Sequence, residues 1–189
     1  MSTLPTSHLT PEEYLAIERQ AERKSEYWNG EMFLMAGASE AHGLIAGNAA
    51  TDLHRQFRSR PCTVFISDMR VCVDRMKMYA YPDVVAICGE REYLGGRPDT
   101  LLNPTLIVEV LSPSTEGYDR GLKFQYYRAI ESLQEYLLIS SDRIHADLFI
   151  RQPGGQWAVT EASSLEETIE LRSVGATLKM VDLYDKVEF

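Results

Sequence analysis

The sequence predicts a single α/β or α+β domain in which helices flank a central mixed β-sheet. The chain has 189 residues, of which 44% are hydrophobic and 25% charged, and these values are typical of one globular domain spanning residues 1–189. Segments with the spacing of amphipathic helices lie near the N-terminus and in the middle of the chain. Short runs rich in Val and Ile lie between and after them, and such runs are typical of strands buried on both faces.

The first third of the chain contains two predicted helices separated by a hairpin. Thr10 has the position of an N-cap, because proline follows it and glutamate stands three residues later. The apolar stripe of this helix consists of Tyr14, Leu15, Ile17 and Ala21. Asn29-Gly30 predicts a two-residue turn that joins 26–28 to 31–33. A second helix is predicted over about 39–57, and the residues it is expected to bury are Leu44, Ile45, Ala49 and Leu53.

Most of the remaining elements are predicted strands. They cover 63–73, about 81–88, 105–111, 135–139, 145–150 and 157–160. Pro153-Gly154-Gly155 predicts a turn between the last two strands. One further helix is predicted over about 119–130, after the third strand. This order of elements favours helices packed on a sheet that is built largely from buried strands.

Charge, hydropathy and cysteine usage argue against several classes of protein. The net charge of −9 opposes nonspecific binding to nucleic acid. The one concentration of basic residues is expected either to contact phosphates locally or, in its first three members, to form a solvated helix end; it consists of Arg55, Arg58, Arg60, Arg70, Arg75 and Lys77. No apolar run approaches the roughly 20 residues of a membrane span, and the N-terminus lacks the features of a secretory signal, so we expect a cytoplasmic protein without membrane contact. Cys62, Cys72 and Cys88 lack CxxC spacing and predict three buried thiols, with no disulfide framework and no zinc site.

Two carboxylates interrupt predicted buried strands. Asp83 lies in YPDVVAI and Glu109 lies in PTLIVEVLS. A buried carboxylate is costly to desolvate unless a cation or a full set of hydrogen bonds compensates it, which leaves two interpretations. One is an ion pair with a nearby arginine. The other is a divalent metal, Mg²⁺ or Mn²⁺, because oxygen ligands are present and no Cys/His cluster is available. Proline precedes both strands, so the two carboxylates should lie at comparable depth and share one ion if the strands are neighbours.

A Pro-Asp at the start of one strand and a Glu inside the next resembles the PD-(D/E)XK nuclease superfamily. More specific are KSEYWNGE, SDMRV, YPDVVAI, IVEVLSPST, QEYLLI, a histidine that opens the second helix, and the helix that carries Asp119, Lys123 and Tyr127. Together these segments resemble the Uma-type family of restriction-endonuclease-like proteins, from about Thr10 to the C-terminus. The resemblance implies a restriction-endonuclease-like core and metal-dependent hydrolysis of phosphodiester bonds in nucleic acid. DNA is the expected substrate and a homodimer the expected assembly.

The superfamily pattern has a lysine two residues after the strand glutamate, where this chain has Leu111. Leucine cannot stabilise the charge of an attacking hydroxide or of the transition state. Lys123 is the natural substitute, because it lies on the following helix at i+4 from Asp119 and i−4 from Tyr127. The Uma-type resemblance also implies a lysine here. The alternative is a surface lysine paired with Asp119.

Three further candidates follow from the same motifs. Glu26 matches an early glutamate of the family and is expected either to bind the metal or its water, or to be an exposed hairpin charge. His42 is expected near the cleft, as a phosphate contact or in a structural role at the helix start. Asp68 is expected either to support the metal ligands or to pair with Arg70. The metal site itself is expected to comprise Asp83, Glu109 and the carbonyl of Val110.

The leading alternative to an enzyme is a binding or scaffold module that descends from the nuclease fold without retaining cleavage. The net charge of −9 and Leu111 both favour it. A two-carboxylate glycosidase is a weaker alternative, since nothing in the sequence indicates aromatic platforms for sugars. Placement of the basic residues discriminates the first two, because a nuclease needs some of them near the carboxylate cleft.

Overall fold

The computed structural model describes residues 8–189, which form thirteen strands and five helices. The helices are α1 (Pro11–Glu18), α2 (Glu40–Phe57), α3 (Glu116–Tyr118), α4 (Phe124–Tyr127) and α5 (Met180–Leu183), and a π-helical turn (Asp119–Lys123) joins α3 to α4. The strands are β1 (Ser25–Trp28), β2 (Glu31–Leu34), β3 (Cys62–Ile66), β4 (Arg70–Val73), β5 (Met78–Ala80), β6 (Val84–Cys88), β7 (Thr100–Leu101), β8 (Leu106–Leu111), β9 (Glu135–Ser140), β10 (Ala146–Arg151), β11 (Trp157–Ala162), β12 (Thr168–Leu171) and β13 (Ala176–Lys179).

The strands form three sheets. The central sheet has six strands in the order β11-β10-β9-β8-β6-β3, and it is mixed because β8 and β9 run parallel while the other neighbours are antiparallel. A second sheet has five strands in the order β2-β1-β5-β4-β7. The third consists of β12 and β13. The predicted fold class, helices around a central mixed sheet, is confirmed.

Alternate residues of β8 face different layers of the molecule. Leu106, Val108 and Val110 pack in one apolar cluster with Ile45 and other residues of α2. Ile107 and Leu111 face the other way, into a cluster that includes residues of β4, β5 and α4. Glu109 shares this second face, because it stands between Val108 and Val110. The side chain of Glu109 therefore points between the six-stranded and the five-stranded sheet.

Local signals near the N-terminus predict the structure well. Thr10 caps α1 in a reciprocal capping box with Glu13, and Ser39 caps α2. Asn29 and Gly30 adopt φ angles of 46° and 94°, as the turn between β1 and β2 requires. The apolar stripe of α1 is shorter than predicted, because α1 ends at Glu18 and the next two predicted members, Ile17 and Ala21, are exposed.

The single strand predicted over 63–73 is wrong. The chain turns after Ile66, where the backbone N–H groups of Asp68 and Met69 both donate to the Ile66 carbonyl. β3 therefore joins the edge of the six-stranded sheet, while β4 joins the five-stranded sheet. As an edge strand, β3 is not buried on both faces, and Ile66 is 56% exposed. The helix predicted over about 119–130 also differs, since it begins at Glu116 and contains the π-helical turn.

The expectation of three free thiols is also wrong. Cys62 and Cys88 form a disulfide, and only Cys72, which is buried, is free among residues 8–189. The pairing follows from strand register, because Cys62 of β3 lies directly opposite Cys88 of β6. Within the same residues, no helix has the length and apolar character needed to cross a membrane.

Candidate active site

Asp83 and Glu109 lie across from each other on neighbouring strands. β6 and β8 are antiparallel, with Val84 opposite Val108. Asp83 immediately precedes Val84 and Glu109 immediately follows Val108, so the same register places the two carboxylates side by side on one face. The strands that carry the two residues are thus neighbours, which is the geometry that a shared ion requires.

Lys123 lies at the centre of a group of carboxylates. Its Nζ is 2.8 Å from Oε1 of Glu109, 3.0 Å from Oε1 of Glu26 and 3.5 Å from Oδ1 of Asp119. All four side chains are more than nine-tenths buried. Burial alone would lower the pKa of Lys123, but the charges of Glu109 and Glu26 raise it well above its ordinary value. The lysine is therefore a fixed, buried ammonium group.

The π-helical turn brings Asp119 and Lys123 to this position. A π turn contains an extra residue relative to an α-helix, and such turns occur frequently at functional sites. The Tyr136 hydroxyl donates to the Asp119 carbonyl at 3.1 Å, which satisfies a backbone acceptor within the irregular turn. Residues on both sides of the turn, Tyr118 and Tyr127, consequently reach the same cluster.

These two tyrosines hold the glutamates. Tyr127 donates from its hydroxyl to Oε1 of Glu109 at 3.2 Å, and Tyr118 donates to Oε2 of Glu26 at 3.5 Å. Burial, followed by the charge of Glu26, raises the pKa of Tyr118, so the group stays a neutral donor. Tyr118 is absent from the sequence-based candidates, because α-helical spacing does not place it on the face of Lys123.

Asp83 is held from two sides. Its Oδ2 accepts from the backbone N–H of Val110 at 2.8 Å and lies 3.3 Å from Nε2 of His42. Burial alone would lower the pKa of His42, but the hydrogen bond and charge of Asp83, the charge of Asp119 and the carbonyl of Val110 raise it. His42 thus contacts Asp83, one of the side chains that the sequence assigns to the metal.

The environment of Glu109 disfavours the ionised form of its side chain. Burial raises its pKa well above the ordinary value, the Lys123 ammonium lowers it, and the charges of Asp119 and Asp83 raise it further. Neither Glu109 nor Asp83 pairs with an arginine among residues 8–189, so the predicted arginine ion pair is not the compensation that the structure provides. The compensating groups are the Lys123 ammonium and the His42 ring.

The carboxylate cluster, defined as Glu26, Asp83, Glu109 and Asp119, contains four acidic side chains but only two basic ones, Lys123 and His42, contact it. Two of its oxygens, Oδ1 of Asp83 and Oε2 of Glu109, accept no hydrogen bond from the part of the chain described. No group of three His, Cys, Asp or Glu side chains within 8–189 is arranged to hold a metal. The donor chemistry of two free carboxylate oxygens and a nearby carbonyl nevertheless fits a hard divalent cation.

Comparison with known protein families matches residues 11–181 to Uma2, a family described as "Putative restriction endonuclease". The chain belongs to this family. Two relatives of this Uma2 chain come from Synechocystis sp.: Uncharacterized protein slr1290 is 34% identical over 98% of the chain and 96% of its own length, and Uncharacterized protein sll1609 is 38% identical over 90% and 96%. The crystal structure of "a putative nuclease belonging to DUF820" from Anabaena variabilis has a TM-score of 0.77 at 18% identity, covering 95% of this chain and 99% of that one. That likeness shows a common fold.

Most of the residues singled out in the Uma2 sequence lie together, with one exception. Glu26, Glu109 and Lys123 meet between the two large sheets, and Asp83 stands beside Glu109, with its Oδ2 in contact with His42 and the Val110 N–H. Asp68 lies apart, with a side chain that is 80% exposed and 2.5 Å from Nζ of Lys24. Its predicted pairing with Arg70 is wrong, because Arg70 is buried and bonds to Tyr81 and Thr100.

The basic residues of the Uma2 chain have different environments. Arg60 donates to backbone carbonyls of Val174 and Gly175, and Arg75 lies 3.5 Å from Glu131. Arg55 and Arg58 instead line a cavity of about 390 Å³ between α2 and β3. Ile66, which also lines this cavity, pairs with Val84, the residue next to Asp83. Part of the basic surface therefore lies along the same helix and strand that lead to the carboxylate cluster.

Proposed function

We propose that the chain is a metal-dependent nuclease in which Asp83, Glu109 and Lys123 carry the chemistry and Glu26 supports them. The observation that carries the proposal is the carboxylate cluster around Lys123, drawn from four separate segments of the chain. Burying so many acids is costly for stability alone, and such arrangements are concentrated at functional sites. Membership in a family described as restriction endonucleases supports phosphodiester hydrolysis as the reaction.

The free oxygens of Asp83 and Glu109, together with the Val110 carbonyl, would hold Mg²⁺ or Mn²⁺. When bound there, such an ion polarises a phosphate oxygen and lowers the pKa of a bound water. His42 already contacts Oδ2 of Asp83, which leaves the other oxygen of this carboxylate, Oδ1, for the ion. The four acids outnumber the two basic side chains at the site, which favours uptake of a cation.

Lys123 supplies positive charge to the scissile phosphate. Glu109 and Glu26 fix the ammonium group, so it does not need to reorient as negative charge develops in the transition state. Leu111, at the usual lysine position, is buried in the apolar cluster between the sheets. The lysine on the π-helical turn thus reaches the strand glutamate from another element, and Tyr127 fixes that glutamate from the other side.

DNA as the substrate, a homodimer as the working unit and the cytoplasm as the location are parts of this proposal.

Arg58, at the C-terminal end of α2, forms no ion pair among residues 8–189. It lies sixteen residues after His42, which corresponds to about 24 Å along a helix. That span is about seven phosphates of one strand at roughly 3.4 Å each. A dimer would present one site to each strand.

A non-catalytic binding module remains the second candidate, favoured by one observation. Lys123 and His42 already contact Glu109 and Asp83, so each of these carboxylates has a basic partner without a metal. The two candidates differ in a measurable property, because only the nuclease requires that the cluster bind a divalent ion.

Metal titration separates the two candidates. In calorimetry and thermal-shift measurements against EDTA, we expect Mg²⁺ and Mn²⁺ to bind the parent and to raise its Tm with the logarithm of metal concentration above the Kd. Glu109→Ala should lose both effects. Glu131→Ala, an exposed acid outside the cluster, should behave as the parent. A parent that neither binds nor gains stability at millimolar metal would place the binding module first.

Lys123→Ala tests the role of the lysine. We expect this variant to bind metal and to lose DNA cleavage by about 10²–10³-fold, the usual effect of removing one electrostatic contact to a transition state. Cleavage is measured on plasmid and oligonucleotide substrates with Mg²⁺. Cleavage at the parent rate would show that Lys123 has no catalytic role.

A further inference from the structure

Residues of three sequence motifs that take no part in the proposed chemistry meet in one buried group around Glu18 and Tyr81. Tyr81 begins YPDVVAI, Arg70 lies in SDMRV, and Ser25 lies in KSEYWNGE. The fourth member of the group is Glu18, the last residue of α1. All four residues are more than nine-tenths buried, so the polar atoms they bring together are shielded from water.

Glu18 joins two separate segments of backbone through a single oxygen. Its Oε1 accepts from the backbone N–H of Ser25 at 2.9 Å and from the Tyr81 hydroxyl at 3.0 Å. The other oxygen, Oε2, is buried and has no partner in the described structure. Both bonds therefore depend on the same atom.

Arg70 anchors this junction in the five-stranded sheet. Its guanidinium donates to the Tyr81 hydroxyl at 2.9 Å and to Oγ1 of Thr100 at 3.0 Å, and it lies 3.6 Å from Asp99. A buried arginine and a buried glutamate are costly to desolvate, and an apolar filling would be easier to stabilise. The specific geometry at Tyr81 is what the polar group provides.

The two segments held by Glu18 lead directly to the carboxylate cluster. Ser25 precedes Glu26, and Tyr81 stands two residues before Asp83. A second connection runs beside the first, since the Ser67 N–H donates to the Asp83 carbonyl at 3.1 Å and the Ser67 carbonyl accepts from Lys24 at 2.9 Å. The backbone around Glu26 and the backbone around Asp83 are thereby tied to each other.

We propose that Glu18 and Tyr81 are positioning residues that hold Glu26 and Asp83 at their fixed separation in the cluster. The proposal rests on the nuclease function proposed above and deepens it, because the separation of these acids decides whether one metal and one lysine fit between them. Neither residue touches the reacting atoms. Removal of groups that orient metal ligands usually lowers metal affinity or activity by about 10–100-fold.

Four variants test this role. Tyr81→Phe removes only the hydroxyl, and Glu18→Ala removes the shared acceptor. Glu18→Gln is the conservative variant, because its amide oxygen can still accept both bonds. Tyr93→Phe is the matched control, since Tyr93 is half-buried and its hydroxyl forms no hydrogen bond within residues 8–189.

The readout that needs neither metal nor substrate is hydrogen exchange of the Val110 amide. This N–H donates to Oδ2 of Asp83 and so reports where Asp83 lies. In Tyr81→Phe and Glu18→Ala, we expect Val110 to exchange about three- to tenfold faster relative to other amides of β8, the loss of one hydrogen bond. Glu18→Gln and Tyr93→Phe should match the parent, and Mn²⁺ affinity should fall about tenfold only in the first two variants.

The outcomes are distinguishable. Folded Tyr81→Phe with a parent-like Val110 amide and parent-like Mn²⁺ affinity would overturn the positioning role, as would a uniform increase in exchange over all of β8. If the parent itself binds no Mn²⁺, the nuclease proposal fails, while the Val110 amide still decides whether Glu18 and Tyr81 position Asp83. If Glu18→Ala does not fold, Tyr81→Phe carries the test alone.

Discussion

Glu109 shows how one residue combines an unfavourable environment with a specific partner. Burial and the charges of Asp119 and Asp83 all favour its protonated form, and only Lys123 and the Tyr127 hydroxyl favour the carboxylate. Asp119 has a raised pKa as well, mainly through burial. The folded state therefore holds protons that the unfolded chain has already released, and this makes the cluster a source of pH-dependent stability.

The sign of that dependence follows from the raised pKa values. Below the ordinary value of 4.5 the contribution of Glu109 is fully present, and it is lost as pH rises through the higher folded-state pKa. In EDTA, we expect the parent to lose free energy of unfolding relative to Glu109→Gln as pH rises from about 4.5 towards 7. Urea unfolding at each pH measures the difference.

A control of opposite sign lies nearby. Hydrogen bonds from Arg120 lower the pKa of Glu116 below 4.5, so its contribution is present above that value and lost as pH falls. The parent should therefore lose free energy of unfolding relative to Glu116→Gln as pH falls, which is the opposite direction. The difference should be smaller than for Glu109, because Glu116 is partly exposed. Parallel curves for the parent and Glu109→Gln would contradict the assignment of the pH dependence to the cluster.

At the scale of elements, the π-helical turn decides which side chains meet. One residue is about 100° of rotation in an α-helix, so an extra residue changes the face presented by everything beyond it. Tyr118 precedes the π-helical turn, Asp119 begins it, Lys123 ends it and Tyr127 follows it, yet all four reach the carboxylate cluster. A regular α-helix would keep Asp119, Lys123 and Tyr127 on one face, because they are four residues apart, and would direct Tyr118 elsewhere.

Deleting Gly121 tests the turn. We expect the segment to become α-helical and Lys123 to leave Glu109, which would leave buried carboxylates unpaired and lower the free energy of unfolding by about 3–5 kcal/mol. Gly121→Ala is the matched control: its Cβ would meet nothing within 4 Å, and alanine should stabilise the helix by about 0.5–1 kcal/mol. Urea unfolding and a structure of the deletion variant measure both effects. A deletion variant that retains the Lys123–Glu109 contact would refute this account.

Elements with local determinants could be predicted, and elements decided by distant partners could not. The capping box at Thr10 and the Asn29-Gly30 turn depend on a few adjacent residues, and both appear as predicted. The division of 63–73 depends on which sheet each half joins, and both halves are rich in Val. The Cys62–Cys88 pair requires a strand register, which residue spacing does not reveal.

The same distinction applies to the candidate site. Asp83 and Glu109 stand out because a charge within an apolar run requires compensation, and this signal needs no partner to be known. Tyr118 gives no such signal, because its proximity to Glu26 depends on the π-helical turn. Asp68 carries the same chemistry as the true members of the cluster, but it lies in the turn between β3 and β4, where its side chain is solvated.

At the scale of the whole molecule, charge determines how a DNA substrate must be bound. A protein with a net charge of −9 repels the phosphate backbone on average, so contact requires a local basic surface. Arg55 is compensated by Asp52 at 2.5 Å, whereas Arg58 has no ion-pair partner within residues 8–189. Arg58 is therefore the residue of the α2–β3 cavity best able to contact a phosphate.

Charge reversal of Arg58 tests this surface. With Ca²⁺ in place of Mg²⁺ to slow cleavage, we expect Arg58→Glu to weaken DNA binding at low salt and to reduce the slope of log affinity against log salt by about one phosphate contact. Arg97→Glu is the matched control, because it makes the same change in net charge on the loop before β7, the edge strand of the five-stranded sheet, and Arg97 does not line the α2–β3 cavity. Fluorescence anisotropy with a labelled duplex between about 50 and 200 mM salt gives both slopes. Because the two variants have the same net charge, an equal loss of affinity in both would mean that only the overall field matters, and a loss confined to Arg58→Glu would locate the DNA along α2 and β3.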